Sequence, residues 1–328
     1  MNIGGIEQGI SLYGFNQRYV ERPEYGIEEC FAELQELGVQ KYELVGAVFF
    51  ERYPRPALAE IERVLEAAAR TGATPFSYGG YSDVGRITGH APTDEDYILD
   101  LTADLMTARE LGCGYLRAGV LPPHLLPLAA MLADQYGVNI GWEVHAPSKP
   151  SDPDIQHLLA ELDRIDSPRL GFIPDFGCFI ERPAAPALDR YAREGARPDL
   201  LELIIAQRHS GVTEEELFAE VVARGGGKAE RMAIADFFGF LSFGPADIAG
   251  FRTLLARTHY FHSKFYHVTE DLQDPTIPMA ALLGAIVDSG FQGVLMSEYE
   301  GHAFHNDDAR EQHERHLLLE QRILSERS

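Results

Sequence analysis

The sequence predicts an α/β fold, a (β/α)8 TIM barrel with a helical insertion after the sixth strand. Short apolar runs alternate with helical periodicity along most of the 328 residues. Counted out, the alternation gives eight β-then-α units, which close most simply into a barrel when the crossovers are right-handed. No Gly-rich loop follows the first apolar run, so a doubly wound dinucleotide-binding sheet is the weaker alternative.

Residues 10–13 read as the first strand. Ile27, Phe31, Leu34 and Leu37 recur at helical spacing, and Gly38 closes that helix. Residues 42–45 form the second strand, Leu58, Ile61, Leu65 and Ala68 mark the helix after it, and Gly72 ends that helix. The third strand is 74–78. Thr93 with Asp96 is a capping-box variant that opens a helix running through Leu101 and Leu105 to Gly112. Strand four is 115–118, its helix 125–136, and strand five 138–145. Asp152-Pro153 starts the next helix, and strand six is 170–175.

There the regularity breaks, because the next strand-like run, 258–262, lies far downstream. Between them stand helix-like pieces at 200–207 and 214–223, the run Gly225-Gly226-Gly227, and the aromatics Phe237, Phe238, Phe240 and Phe243. Residues 181–244 are therefore read as an insertion, expected as a lid over the C-terminal face of a single barrel domain spanning 1–328. Its phenylalanines form either a small core of their own or part of a contact surface. A helix around 278–289, a strand at 294–298 and a helix over 307–323 complete the eighth unit.

Bulk composition narrows the function. Hydrophobic residues at 45% and charged residues at 24% suit a soluble globular protein with a large core. No apolar run approaches the ~20 residues of a membrane span, and Met1-Asn2-Ile3 opens neither a signal nor a transit peptide. Cys30, Cys113 and Cys178 are odd in number and widely spaced, which fits a reducing cytoplasm rather than a disulfide framework. A net charge of −23 repels phosphate backbones and anionic membranes, so neither nucleic acid nor membrane is an expected partner.

The chemistry is expected where the late strands end, at the C-terminal face of the barrel. In Gly141-Trp142-Glu143-Val144-His145-Ala146-Pro147, alternation places Glu143 and His145 on one face and Trp142 on the other, against the helices. Glu143, Asp175, His262 and Glu298 each end an apolar run that otherwise has no reason to hold an ionisable residue. Beside the imidazole, three carboxylates converging at one mouth would repel each other strongly without a cation. That donor set suits Mn²⁺, with Mg²⁺ or Co²⁺ as alternatives, better than thiolate-seeking zinc. Lys264 shares the face of His262, and His302 and His305 follow the last strand; these three are candidate substrate contacts.

Leu12 to Phe15, Tyr42-Glu43-Leu44, Trp142-Glu143-Val144-His145, Pro174-Asp175-Phe176-Gly177, Phe261-His262-Ser263-Lys264 and Ser297-Glu298-Tyr299 resemble the strand signatures of the xylose isomerase-like barrels. That superfamily holds sugar isomerases and ketose 3-epimerases, and the resemblance implies a metal site on Glu143, Asp175, His262 and Glu298. More narrowly, the opening from Ile10 to Val20, Glu143-Val144-His145 and the insertion resemble the alpha subunits of bacterial C-glycoside deglycosidases. The narrower resemblance implies a lyase cleaving the carbon–carbon bond of 3-keto C-glycosides with a small beta subunit, and puts the catalytic histidine on His145. The alternatives are a ketose 3-epimerase or isomerase with Glu143 and Glu298 as bases, or a silent sugar-binding subunit. The charge disfavours an endonuclease on the same barrel.

Overall fold

The computed structural model describes residues 2–80, 91–304 and 308–327. Eight parallel strands build the barrel: β1 (Ile6–Ser11), β2 (Lys41–Val45), β3 (Thr74–Gly79), β4 (Tyr115–Ala118), β5 (Asn139–Val144), β6 (Leu170–Pro174), β7 (Phe261–Phe265) and β8 (Gly293–Tyr299). They pair in the order β6-β5-β4-β3-β2-β1-β8-β7. Across the remaining seam, Phe172 bridges to Thr258 and Asp175 to His262, so the barrel is nearly closed.

Two strands differ from their expected bounds by more than one residue. β1 ends at Ser11, and Leu12–Phe15 turns as a 3-10 helix, because the pairing with β2 stops at Ser11 opposite Glu43. β7 begins three residues later than the apolar run suggests. A 3-10 turn at Leu255–Arg257 delivers the chain obliquely, so His259 N–H reaches Phe172 O at 3.0 Å before any ladder forms.

The helix signals hold. Thr93 N–H donates to Asp96 Oδ2 at 2.8 Å, and Asp96 N–H to Thr93 Oγ1 at 3.3 Å. Gly72 and Gly137 end their helices at φ of 74° and 71°, a region a side chain rarely adopts.

Between β6 and β7 stand helices Ala185–Arg193, Pro198–Gln207, Glu214–Ala223 and Lys228–Phe238. They share a buried core of Tyr191, Leu200, Ile204, Leu217, Val221 and Phe237. Phe237 sits edge-on to Tyr191 at 5.7 Å and to Phe243 at 5.3 Å. Phe237 and Phe243 are thus core residues, in keeping with the small-core expectation, while Phe238 and Phe240 are half-buried. The helices also touch the loop after β8, where Arg190 Nη1 donates to Ala303 O at 3.2 Å and Arg193 Nη2 to Phe304 O at 2.9 Å.

The barrel interior is layered. Ile173, Tyr260, Val294 and Met296, with Phe76 and Tyr115 against them, fill its lower part. Gly141 and Gly9 make room there: a Cβ on Gly141 would lie 2.7 Å from Ile173, and one on Gly9 would lie 2.9 Å from Met296 Sδ. Strand alternation then puts ionisable side chains toward the C-terminal ends. Among the described residues no helix is long and apolar enough to cross a membrane.

Candidate metal centre

Glu143 on β5, Asp175 just past β6, His262 on β7 and Glu298 on β8 converge at the mouth. One ligand atom from each lies within 4.8 Å of the others, so the four could hold one metal ion. Three are fully buried, and Glu143 is nearly so.

The donor set carries its own test of fit. His262 Nε2 donates to Glu43 Oε2 at 3.0 Å, which turns Nδ1 toward Glu143 Oε1 at 2.8 Å and Glu298 Oε2 at 3.3 Å. Nδ1 makes no well-angled hydrogen bond there, and neither does buried Asp175 Oδ2. Carboxylate oxygens and an imidazole nitrogen gathered this closely inside a protein need positive charge among them, and Lys264 Nζ, 2.8 Å from Asp175 Oδ2, supplies only part of it. A divalent cation satisfies all four donors, and the residues fit it.

The electrostatics point the same way. Burial pushes the Glu43 carboxyl up, but Arg117 and His262 outweigh it and bring it down to about 2. Glu143 and Glu298 are likewise held well below the usual carboxylate range, because neighbouring cations outweigh burial. Asp175 goes the other way, pushed up to about 6 by burial despite Lys264 and His145. Burial pushes His262 down, but Glu298, Glu43 and Glu143 raise it well above its ordinary value. The carboxylates thus hold a positive charge at the imidazole, and a metal ion would compete with that proton.

Two buried residues that the site needs escaped the sequence reading. Glu43 was only part of a strand signature, yet it also accepts from Tyr260 Oη at 2.6 Å and Arg117 Nη2 at 3.2 Å. Arg117 reaches Glu143 Oε2 as well, at 2.7 Å. The signal existed in both cases: each interrupts an apolar strand on the lumen-facing parity, as Glu143 and Glu298 do.

The remaining candidates separate. His145 follows β5 with its side chain 38% exposed. Its Nδ1 lies 2.6 Å from Ala146 O, so the proton sits there and Nε2 keeps its lone pair. Lys264 Nζ donates to that Nε2 at 2.9 Å and reaches Asp175 Oδ2 at 2.8 Å and Glu300 Oε1 at 3.1 Å. Lys264 is therefore buried in the site rather than solvated. His302 is also buried, with Nδ1 2.9 Å from Tyr299 O and its ring edge-on to Tyr13 at 5.2 Å. It backs Tyr13, which lines the cavity, and does not line the cavity itself. His305 lies outside the described residues. The cavity, about 300 Å³, is walled by Tyr13, Val48, Arg117, His145, Lys264 and Glu300, among others.

An eight-stranded α/β barrel gathering three carboxylates and an imidazole at successive strand ends is the class that fold and site define. The chain matches the xylose isomerase-like TIM barrels over residues 31–320 and belongs to that family. It is 26% identical over 316 residues to a C-glycoside deglycosidase alpha subunit from Microbacterium trichothecenolyticum, covering 91% of this chain and 84% of that one. It is 28% identical over 317 residues to a 3'-dehydrocarminate deglycosidase alpha subunit from Microbacterium sp, covering 92% and 90%. Among solved structures, D-psicose 3-epimerase from Clostridium cellulolyticum H10 superposes with a TM-score of 0.57 at 11% identity, over 97% of this chain and 99% of that one. This last likeness is one of fold.

Proposed function

We propose that the protein is the catalytic alpha subunit of a C-glycoside deglycosidase, a carbon–carbon lyase acting on 3-oxo-C-glycosides in the cytoplasm. The observation that carries the reading is the likeness, over 91–92% of the chain, to relatives bearing that name. Glu143, Asp175, His262 and Glu298 would hold a divalent ion, Mn²⁺ first among the candidates. The ion would supply Lewis-acid polarisation of the sugar's C3 carbonyl.

An aryl C-glycoside has no leaving-group oxygen to protonate, so paired-carboxylate hydrolysis has nothing to act on. A ketone at C3 makes the C2 proton removable and places the aryl group β to the resulting carbanion. His145 Nε2, which accepts from Lys264 Nζ here, takes the C2 proton once the substrate displaces that contact. The C1–aryl bond breaks, its electron pair goes to the ring carbon, and a C1–C2 double bond remains in the anhydro-sugar. The ring carbon takes one proton, which balances the one removed. Lys264 contacts His145, Asp175 and Glu300 and orients the base. Residues 181–244 serve as a lid, anchored to the loop after β8 through Arg190 and Arg193.

The name "alpha subunit" borne by the relatives supports a small beta subunit as partner. The test is a product assay with a 3-keto C-glycoside, with Mn²⁺, and with and without the co-expressed small subunit. Free aglycone and an unsaturated anhydro-sugar are expected, while the unoxidised C-glycoside stays intact. Interconversion of free ketoses at C3, with the 3-keto C-glycoside untouched, would replace the lyase with an epimerase.

A further inference from the structure

A second cavity, about 620 Å³, adjoins the polar one and shares Glu143 and His145 with it. The rest of its lining is largely apolar: Trp142, Val120, Leu121, Ile155 and Leu158. Its residues come from the end of β4 and the segment after it, from β5 and the segment after it, and from helix Pro153–Ile165. Glu143 and His145 thus belong to the lining of both cavities.

We propose that this groove seats the aromatic aglycone, while the sugar occupies the polar cavity; the assignment rests on the deglycosidase reading above. Volume and chemistry argue for it. The groove has about twice the room of the polar cavity, within the usual ~300–1,000 Å³ of small-molecule sites. Trp142 Nε1–H is already taken by Gly119 O at 3.1 Å, so the indole contributes ring surface rather than a donor. Val120 stands 82% exposed at this wall, an apolar side chain that a planar ligand would cover. Asp154 and His157 are exposed on the same lining and can meet phenolic hydroxyls at the rim. With the sugar in one cavity and the aryl group in the other, C1 would lie beside the residues they share, Glu143 and His145, where the proposed C2 proton transfer occurs.

Trp142 is the chain's only tryptophan, so the groove carries its own reporter. Full-length protein is titrated with a free flavone, which bears no sugar, and indole fluorescence is followed. Saturable quenching is expected in the wild type, with Kd at least tenfold weaker in Val120→Asp and Leu158→Asp. Val120→Asp alters an exposed position and should fold. Its kcat/KM on a 3-keto C-glycoside should fall at least tenfold, mainly through KM. Turnover of that substrate with flavone binding absent, or unchanged in both variants, overturns the groove assignment alone. Groove-dependent flavone binding without any turnover supports the assignment and overturns the deglycosidase reading. Displacement of the flavone by added small subunit would make the groove that subunit's seat and overturn the assignment.

Discussion

Strands β7 and β8 carry two buried polar clusters on opposite faces, built from alternate residues of the same strands. Facing the lumen are His262, Lys264 and Glu298; facing helix Ala309–Ser325 are Ser263 and Ser297. Burial is near-complete on both sides. Outside, the solution is neutrality. Glu320 accepts from Ser263 Oγ at 2.5 Å and Gln8 Nε2 at 2.7 Å, and burial pushes its carboxyl up to about 7. Ser297 Oγ lies 2.9 Å from Nδ1 of both His313 and His316, and burial drives both imidazoles down, His313 to about 3. Inside, the charges are kept and compensated by one another. A structural cluster sheds its charge; the lumen cluster retains it and turns carboxylate oxygens and an imidazole nitrogen toward a shared centre.

The sharpest way to break this contrast is to substitute once on each face. Glu298→Gln should abolish stoichiometric Mn²⁺ binding and lower turnover by ~10³-fold or more, the several kcal/mol a Lewis acid supplies. Ser297→Ala, one residue away, should keep its metal. Elemental analysis of both purified variants decides it, and equal metal content in the two would remove the ligand assignment. Next in size is His145→Ala, which should keep wild-type metal content while losing the ~10²–10⁴-fold usual for a general base. Loss of metal together with activity would make His145 a ligand instead.

A smaller effect is expected from Glu43→Gln. Glu43 fixes the tautomer of His262 without facing the ligand centre, so Mn²⁺ affinity by calorimetry should weaken ~10–100-fold, as for other partners of ligating histidines. Unchanged affinity would mean that Arg117 and the other carboxylates orient His262 sufficiently by themselves.

Legibility divided along the same line. The barrel and the convergence of Glu143, Asp175, His262 and Glu298 were readable because an acid or imidazole breaking an apolar strand leaves one parity to face inward. His145 and Lys264 followed from that parity. The outer cluster was not readable. His313, His316 and Glu320 lie on a helix whose charged and aromatic-like residues resemble a solvated face until strand packing buries them. Arg117 and Glu43 obey the same parity, but each stands inside a short early strand rather than closing one, so neither marks a strand end. The end of β1 depends on where its ladder partners stop, and no local pattern marks that.

The last prediction tests the outer cluster and should leave turnover unchanged. In the unfolded chain Glu320 loses its proton near the ordinary glutamate value; in the folded protein it keeps it up to about 7. Between those values the native state binds more protons than the unfolded one, so stability falls as pH rises. The contribution is whole below about 4.5, shrinks through the window, and is gone above about 7. A shift of this size amounts to at most about 3 kcal/mol. His313 and His316 act oppositely, destabilising as pH falls below their unfolded value, but they do so in both chains and largely cancel in a difference. Glu320→Gln has no proton to lose, can still accept from Gln8 Nε2, and sets an amide N–H toward Ser263 Oγ in place of the oxygen that accepts from it here. Urea unfolding at pH 5 and pH 8 should therefore show the variant gaining on the wild type by up to about 3 kcal/mol at the higher pH. The same stability difference at both values would mean that Glu320 is ionised in the fold, and the contrast between a neutral outer cluster and a charged inner one would collapse.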